Sequence, residues 1–146
     1  IAVDENLFGT LSFRTGVDAF HNVFIGGMQI AGGRLLWTLG YGIGSALHLG
    51  RKWYLDLDLT SQQLYLNNSD FAYNMLTKAF VGIEYRFGRN FSIAAGPTLN
   101  WYSTENTDAA LDPVWNRINQ RTIYNSVDGN FANRLWAGAK LALRFF

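Results

Sequence analysis

The stretch Arg34–Gln63, RLLWTLGYGIGSALHLGRKWYLDLDLTSQQ, decides the fold. It holds two strand-length runs of period-2 alternation around the tight turn Gly50-Arg51-Lys52. One face carries Leu35, Trp37, Leu39, Tyr41, Ile43, Leu47 and Leu49, then Trp53, Leu55, Leu57 and Leu59. The other carries Thr38, Gly40, Gly42, Gly44, Ala46 and His48, then Tyr54, Asp56, Asp58, Thr60 and Gln62. A soluble sandwich or barrel turns its large apolar side chains inward and its polar ones outward. Here the candidate interior is glycine, small residues and charge, so the bulky face reads as the outside and its solvent as lipid.

The alternation extends along the chain. In Asn74–Phe87, Met75, Thr77, Ala79, Val81, Ile83, Tyr85 and Phe87 oppose Asn74, Lys78, Gly82, Glu84 and Arg86. After a second turn, Gly88-Arg89-Asn90, Phe91, Ile93, Ala95, Leu99 and Trp101 oppose Ser92, Gly96, Thr98 and Asn100. The final run sets Leu135, Ala137, Ala139, Leu141, Leu143 and Phe145 against Gly138, Lys140, Ala142 and Arg144. Leu7, Leu11, Phe13 and Val17 give a weaker copy, and Val23–Ile30 is apolar on both faces. No charge falls on the oily face of the five clear segments.

Composition bounds the reading. The chain has 146 residues, one domain's worth, with no Cys and a formal net charge of +1. It has no basic run of the kind that meets nucleic acid, so no nucleic-acid partner is expected. The longest uncharged stretch, Leu35–Gly50, is shorter than the ~20 apolar residues of a membrane-crossing helix, whereas a crossing strand needs only ~9–11. No signal peptide opens the chain, which starts at Ile1 and reads as a processed or partial product.

The terminal run Leu141-Ala142-Leu143-Arg144-Phe145-Phe146 resembles the C-terminal strand by which Gram-negative outer-membrane barrels are recognised for assembly. On this signal, with Leu141, Leu143, Phe145 and Phe146 as its residues, the chain is similar to small barrels of the OmpA type and the wider outer-membrane β-barrel family. Alternation puts Phe145, not Phe146, on the oily face. The resemblance implies an all-β, transmembrane, up-and-down antiparallel barrel of about eight strands in the bacterial outer membrane. It also implies outer-membrane lipid and the barrel assembly machinery as partners.

Such barrels place short turns and the C-terminus in the periplasm and long loops outside. Gly50-Arg51-Lys52 and Gly88-Arg89-Asn90 are then inner turns, and Ala31–Gly33, Asn67–Tyr73 and Thr104–Asn133 are outer loops. Trp37, Tyr65, Tyr73 and Trp101 form an outer aromatic girdle; Trp53, Tyr85, Phe87, Phe91 and Phe145 form an inner one. Trp136 has lumen parity and stands outside both. Seven strands are legible: Leu7–Val17, Val23–Ile30, Arg34–Leu49, Trp53–Leu66, Asn74–Phe87, Asn90–Tyr102 and Leu135–Phe146. An eighth is expected upstream, because Ile1–Asn6 is too short to cross, so residues 1–146 read as one barrel domain lacking an upstream strand or domain.

A narrow barrel is filled by side chains. Arg14, Asp56, Asp58, Lys78, Glu84, Arg86, Lys140 and Arg144 are therefore expected to pair in a charged plug, with a permeation path as the sharper alternative. Gly40, Gly42 and Gly44 are expected to make room for long neighbours such as Arg86 or Tyr54. His48 sits at the inner rim of the lumen, near Asp56 and Asp58, and His21 in the link before the second strand. A lumen histidine beside a carboxylate is far commoner than a catalytic or metal centre, so no enzyme, metal or cofactor is expected. The expected role is membrane anchor, scaffold or envelope-complex subunit, with another envelope protein met through loop 104–133. The rivals are a narrow porin and a soluble lipocalin-like barrel with the oily face turned into a cavity.

Overall fold

The computed structural model describes residues 1–4, 9–31, 34–66, 73–88, 90–105, 122–128 and 131–145. Among them nine strands form one antiparallel sheet. They are β1 (Ala2–Asp4), β2 (Gly9–Val17), β3 (Phe20–Ala31), β4 (Arg34–Gly50), β5 (Trp53–Leu66), β6 (Asn74–Arg86), β7 (Phe91–Thr104), β8 (Thr122–Asp128) and β9 (Phe131–Phe145). Consecutive strands pair from β1 to β7, β7 pairs with β9, and β1 pairs with β9 as well, so the sheet closes into a ring. β8 joins β9 on the edge that β1 also uses: β8 opposite Phe131–Trp136, β1 opposite Lys140–Ala142.

The register sets the shape. Thr10 stands opposite Ala2, which on its other side stands opposite Ala142. The long way round from Thr10 passes Gly27, Thr38 and Leu64, crosses to Asn74, and reaches Thr104 and Ala132. The two arrivals on β9, Ala132 and Ala142, differ by ten residues. At ~3.3 Å per residue and ~4.8 Å between strands, that stagger over eight ring positions tilts the strands by roughly 40°, as a small closed barrel requires.

The faces follow the pleat. Along β4, Thr38 and Ala46 are buried while Leu35, Trp37, Leu39, Tyr41, Ile43, Leu47 and Leu49 are exposed, Tyr41 to 71%. β6 and β7 bury Asn74, Lys78, Glu84, Ser92, Thr98 and Asn100 and expose Val81, Ile83, Leu99 and Trp101. The bulky apolar face is the outside. Among the described side chains of outward parity in β2–β7 and β9 there is no Asp, Glu, Lys or Arg.

Several boundaries differ from the sequence reading. The expected second strand begins at Phe20, after a third inner turn at Asp18-Ala19, so His21 lies in a strand and not a link. Ala2–Asp4, read as too short to cross, forms the strand that closes the ring. The expected loop 104–133 contains β8 and the first residues of β9. Residues 67–72, 32–33, 106–121, Arg89 and Phe146 lie outside the described residues, as does Leu7.

The lumen glycines do something other than expected. A Cβ on Gly42 would lie 2.7 Å from Thr60 Cα, and one on Gly40 2.7 Å from Gln62 Cα. Both therefore admit the backbone of β5 and not the side chains of Arg86 or Tyr54. Gly44 leaves space for His21 Nε2 and Asp58. Gly42→Val should cost about 1–3 kcal/mol by forcing β4 from β5, while Tyr41→Phe, one residue away on the open face, should be near neutral. Urea unfolding in detergent, followed by tryptophan fluorescence, measures both.

Candidate functional site

The interior is built in layers from inward-pointing residues of successive strands. At the outer end Leu36, Leu64, Leu76, Tyr102 and Trp136 form an apolar cap, all buried. Trp136 thus takes the lumen position its parity indicated. Below the cap Lys78 reaches across to Asp4, and both are buried. Phe80 packs with Ala2, Ala94 and Ala142 beside them, with Lys140 Nζ 4.6 Å from the Phe80 ring centre. A cavity of about 30 Å³ lies here, lined in part by Asp4, Thr60, Gln62, Lys78 and Thr98. It has room for one or two waters among these polar groups.

The inner half holds an ion-pair network. Asp56, fully buried, accepts from Arg14 Nη1 at 3.1 Å and from Arg144. Asp58 accepts from Arg14 Nη2 at 2.5 Å and from Lys140 Nζ at 3.3 Å, with Arg144 at 3.9 Å and His21 Nε2 at 3.3 Å from its other oxygen. Arg144 Nη1 donates to Glu84 at 2.5 Å, and Arg86 Nε donates to the other Glu84 oxygen at 3.0 Å. Arg86 then grips Asp18 with both terminal nitrogens at 2.9 Å, its guanidinium 3.6 Å from the centre of the Tyr54 ring.

All eight charged residues singled out from the sequence meet in these contacts. The sequence reading set five cations against three carboxylates; the structure adds Asp4 and Asp18. Arg14, Lys78, Arg86, Lys140 and Arg144 are matched by Asp4, Asp18, Asp56, Asp58 and Glu84. The charges balance. Such pairs are buried at a cost, and only close geometry with further hydrogen bonds offsets it. The bidentate and shared contacts here supply that geometry. Asp18 sits in the turn at the rim, where the hydrogen bonds from Arg86 hold its carboxyl below the ordinary 3.8. Its contribution to stability is therefore present above that value and lost as pH falls through the depressed one.

The two histidines exchange the roles expected of them. His48 is exposed, 3.3 Å from the Arg51 carbonyl, with its ring tilted against Tyr54 at 4.9 Å between centres. His21 is the buried one, and it contacts Asp58. Its Nε2 and one oxygen each of Asp56 and Asp58 lie within 4.8 Å of one another, a spacing that suits a metal ion. Those carboxylates already accept from Arg14, Lys140 and Arg144, so a divalent cation would add charge to a balanced set. A signal for His21 existed in the sequence: its parity follows from Phe24, once β3 is known to begin at Phe20.

The aromatic residues form two outward bands. Trp37 stacks on Tyr65 at 4.0 Å in the outer one, with Trp101 and Tyr73 exposed beside them. In the inner one Trp53, Tyr85, Phe87, Phe91 and Phe145 make a continuous ribbon with ring centres 4.7, 4.9, 5.3 and 5.5 Å apart. Leu141, Leu143 and Phe145 of the terminal strand face outward. The comparisons add no relative: no protein-family model, curated protein or solved structure matches the chain.

Removing Asp56 leaves Arg14 and Arg144 short of a buried partner, so Asp56→Ala should destabilise the barrel by about 3–5 kcal/mol. Asp18→Asn, at a rim position whose side chain is 55% exposed, should cost less than about 1 kcal/mol. Paired urea titrations at neutral pH compare the two, and equal costs would show that the interior pair is not desolvated.

Proposed function

We propose that this chain is a bacterial outer-membrane β-barrel that serves as membrane anchor, scaffold or envelope-complex subunit, with its lumen closed by paired charge. The observation that carries this reading is the inversion of the faces. The outward belt is apolar and free of formal charge between two aromatic bands, while every described acid–base pair of the inner layers lies inside. From Phe91 to Trp101 on β7, or Trp53 to Tyr65 on β5, the bands stand roughly 25–30 Å apart at the tilt given by the register, the height of a bilayer's apolar belt.

Two rival roles fit the interior less well. A soluble lipocalin-like barrel needs its large apolar side chains around a cavity, yet Leu39, Tyr41, Val81, Leu99 and Leu141 all point outward. A porin needs an open lumen, and here the bore is occupied by the apolar cap and by balanced ion pairs. The hairpin of β8 and β9 stands at the loop end, so loop 104–133 is the part available to another envelope protein. Lipid and the barrel assembly machinery are the other partners under this reading, with Leu141, Leu143, Phe145 and Phe146 of the terminal run as the assembly signal.

Depth dependence tests the membrane itself. Val81 near mid-belt and Leu49 beside the inner turn are both outward and exposed, 49% and 59%. In water an arginine at either would be tolerated. In a bilayer Val81→Arg should cost about 2–4 kcal/mol and Leu49→Arg about 0–1 kcal/mol. Refolding titrations into lipid vesicles read the difference, and equal small costs would sink the proposal. Wild-type protein in planar bilayers should also carry no steady current, whereas regular ion-selective steps would move the reading to a channel.

A further inference from the structure

Among the described strands, β2 departs from the alternation of exposure. Ser12 and Gly16 share inward parity with Arg14, yet both are exposed, where inward residues of β6 and β7 such as Glu84, Ser92 and Asn100 are buried. The reason lies on the far edge of β2. It pairs with β3 through Gly9–Val17 but with β1 only through Gly9 and Thr10. β9 shows the matching edge. Lys140, Leu141 and Ala142 pair with β1, and Leu143 exchanges two 2.8 Å hydrogen bonds with Ile1. Below that point Arg144 and Phe145 pair with β7 alone among the described residues.

These edges bound a slot one strand wide, directly beneath Ile1. Its upper end is already occupied by β1, which fits between β2 and β9 in antiparallel register with both. Arg14 and Arg144, the two cations on Asp56, line it. Unpaired N–H and C=O groups of an edge are costly where water is scarce and attract another strand where it is not.

We propose that the residues encoded immediately before Ile1 continue β1 down this slot, opposite Ser12–Val17, and close the inner half of the ring. The register is fixed by Ala2↔Thr10 and Ala2↔Ala142. The residue before Ile1 stands opposite Ser12 and Arg144, the second opposite Phe13 and Phe145, the third opposite Arg14. Ala2 and Asp4 point inward and Val3 outward, so the first and third upstream residues point inward beside the two arginines and the second faces outward. Uncharged polar side chains suit the inward pair, since the lumen charges already balance, and an apolar one suits the outward position. A continuation of β1 enters the slot in a register already set, because Ile1 is bonded in the ladder to Leu143, whereas a strand of another molecule would have no such covalent lead. The inference rests on ring closure and holds whichever solvent surrounds the barrel.

The test compares two chains folded in the same detergent, one with its encoded upstream residues and one beginning at Ile1. Hydrogen exchange at Ser12–Val17 should slow on the order of tenfold or more in the longer chain, while β6 and β7 exchange alike in both. Should the shorter chain not fold, a cysteine at the second upstream residue of the long chain and Phe13→Cys should form a disulfide across the slot. Equal exchange at Ser12–Val17 overturns the proposal, as does the absence of that disulfide. So does protection in the shorter chain that grows with protein concentration, since that would mark a second copy as the occupant. An intact mass of 16.4 kDa for the protein taken from its native membrane would also overturn it.

Discussion

The rest of the structure depends on one electrostatic constraint: Arg14, Lys78, Arg86, Lys140 and Arg144 point into a narrow ring that leaves them little water. A closed barrel of this stagger has an interior filled by its own side chains, so each inward charge must find a partner there or lose several kcal/mol to desolvation. The pleat leaves no freedom in the matter, because turning Arg144 or Lys140 outward would turn Leu141 and Phe145 inward with it. Charge balance is thus a condition on the fold and not an addition to it. Asp4 and Asp18 complete that balance, and neither sits in a long strand. Asp4 rides on β1, the segment that closes the ring, and Asp18 on the turn between β2 and β3. Closing the ring and neutralising the lumen are the same event for Lys78, whose described carboxylate partner arrives with the closing strand.

The outer surface obeys the complementary rule. Among its described side chains the belt has no Asp, Glu, Lys or Arg, and it is built from branched aliphatics, alanines and aromatics that suit strand geometry. Some polar outward groups find local partners: Ser61 and Thr77 share a 3.1 Å hydrogen bond across β5 and β6, and the Trp101 indole donates to Asn133 at 3.3 Å. Satisfied in this way, they add little cost in an apolar solvent.

The faces, the inner turns and the lumen charges were legible from the sequence because period-2 alternation over ten or more residues is hard to produce by accident. Arg34–Gln63 carries it cleanly, and the register found for β4 and β5 is the one its turn implies. What escaped has physical reasons. β1 is three residues long, below any window in which a period can be seen. β3 puts Val23 and Ile25 inward and Phe24 and Met28 outward, so its two faces look alike in hydropathy and its start was placed late. A start at Val23 leaves His21 in a link and His48 as the lumen histidine; His48 has lumen parity, but at the rim it contacts the Arg51 carbonyl. The outer hairpin was unreadable because β8 is exposed on both faces, which removes the contrast that marks a strand.

The two ends of the barrel are unlike, and this bears on where action can occur. The outer end is sealed by Leu36, Leu64, Leu76, Tyr102 and Trp136, a layer with little for a solute to bind. The inner end is sealed by Arg86 held between Glu84, Asp18 and Tyr54, a charged and solvent-facing rim. Two layers of opposite chemistry thus fill the bore, an apolar cluster at one end and a guanidinium clamp at the other. Above the cap stands the β8–β9 ribbon, with Ile123, Tyr124 and Val127 exposed. Between the two ends the interior is held by ion pairs that match five cations with five carboxylates, so the packing of the bore and its electrostatics are one problem with one solution.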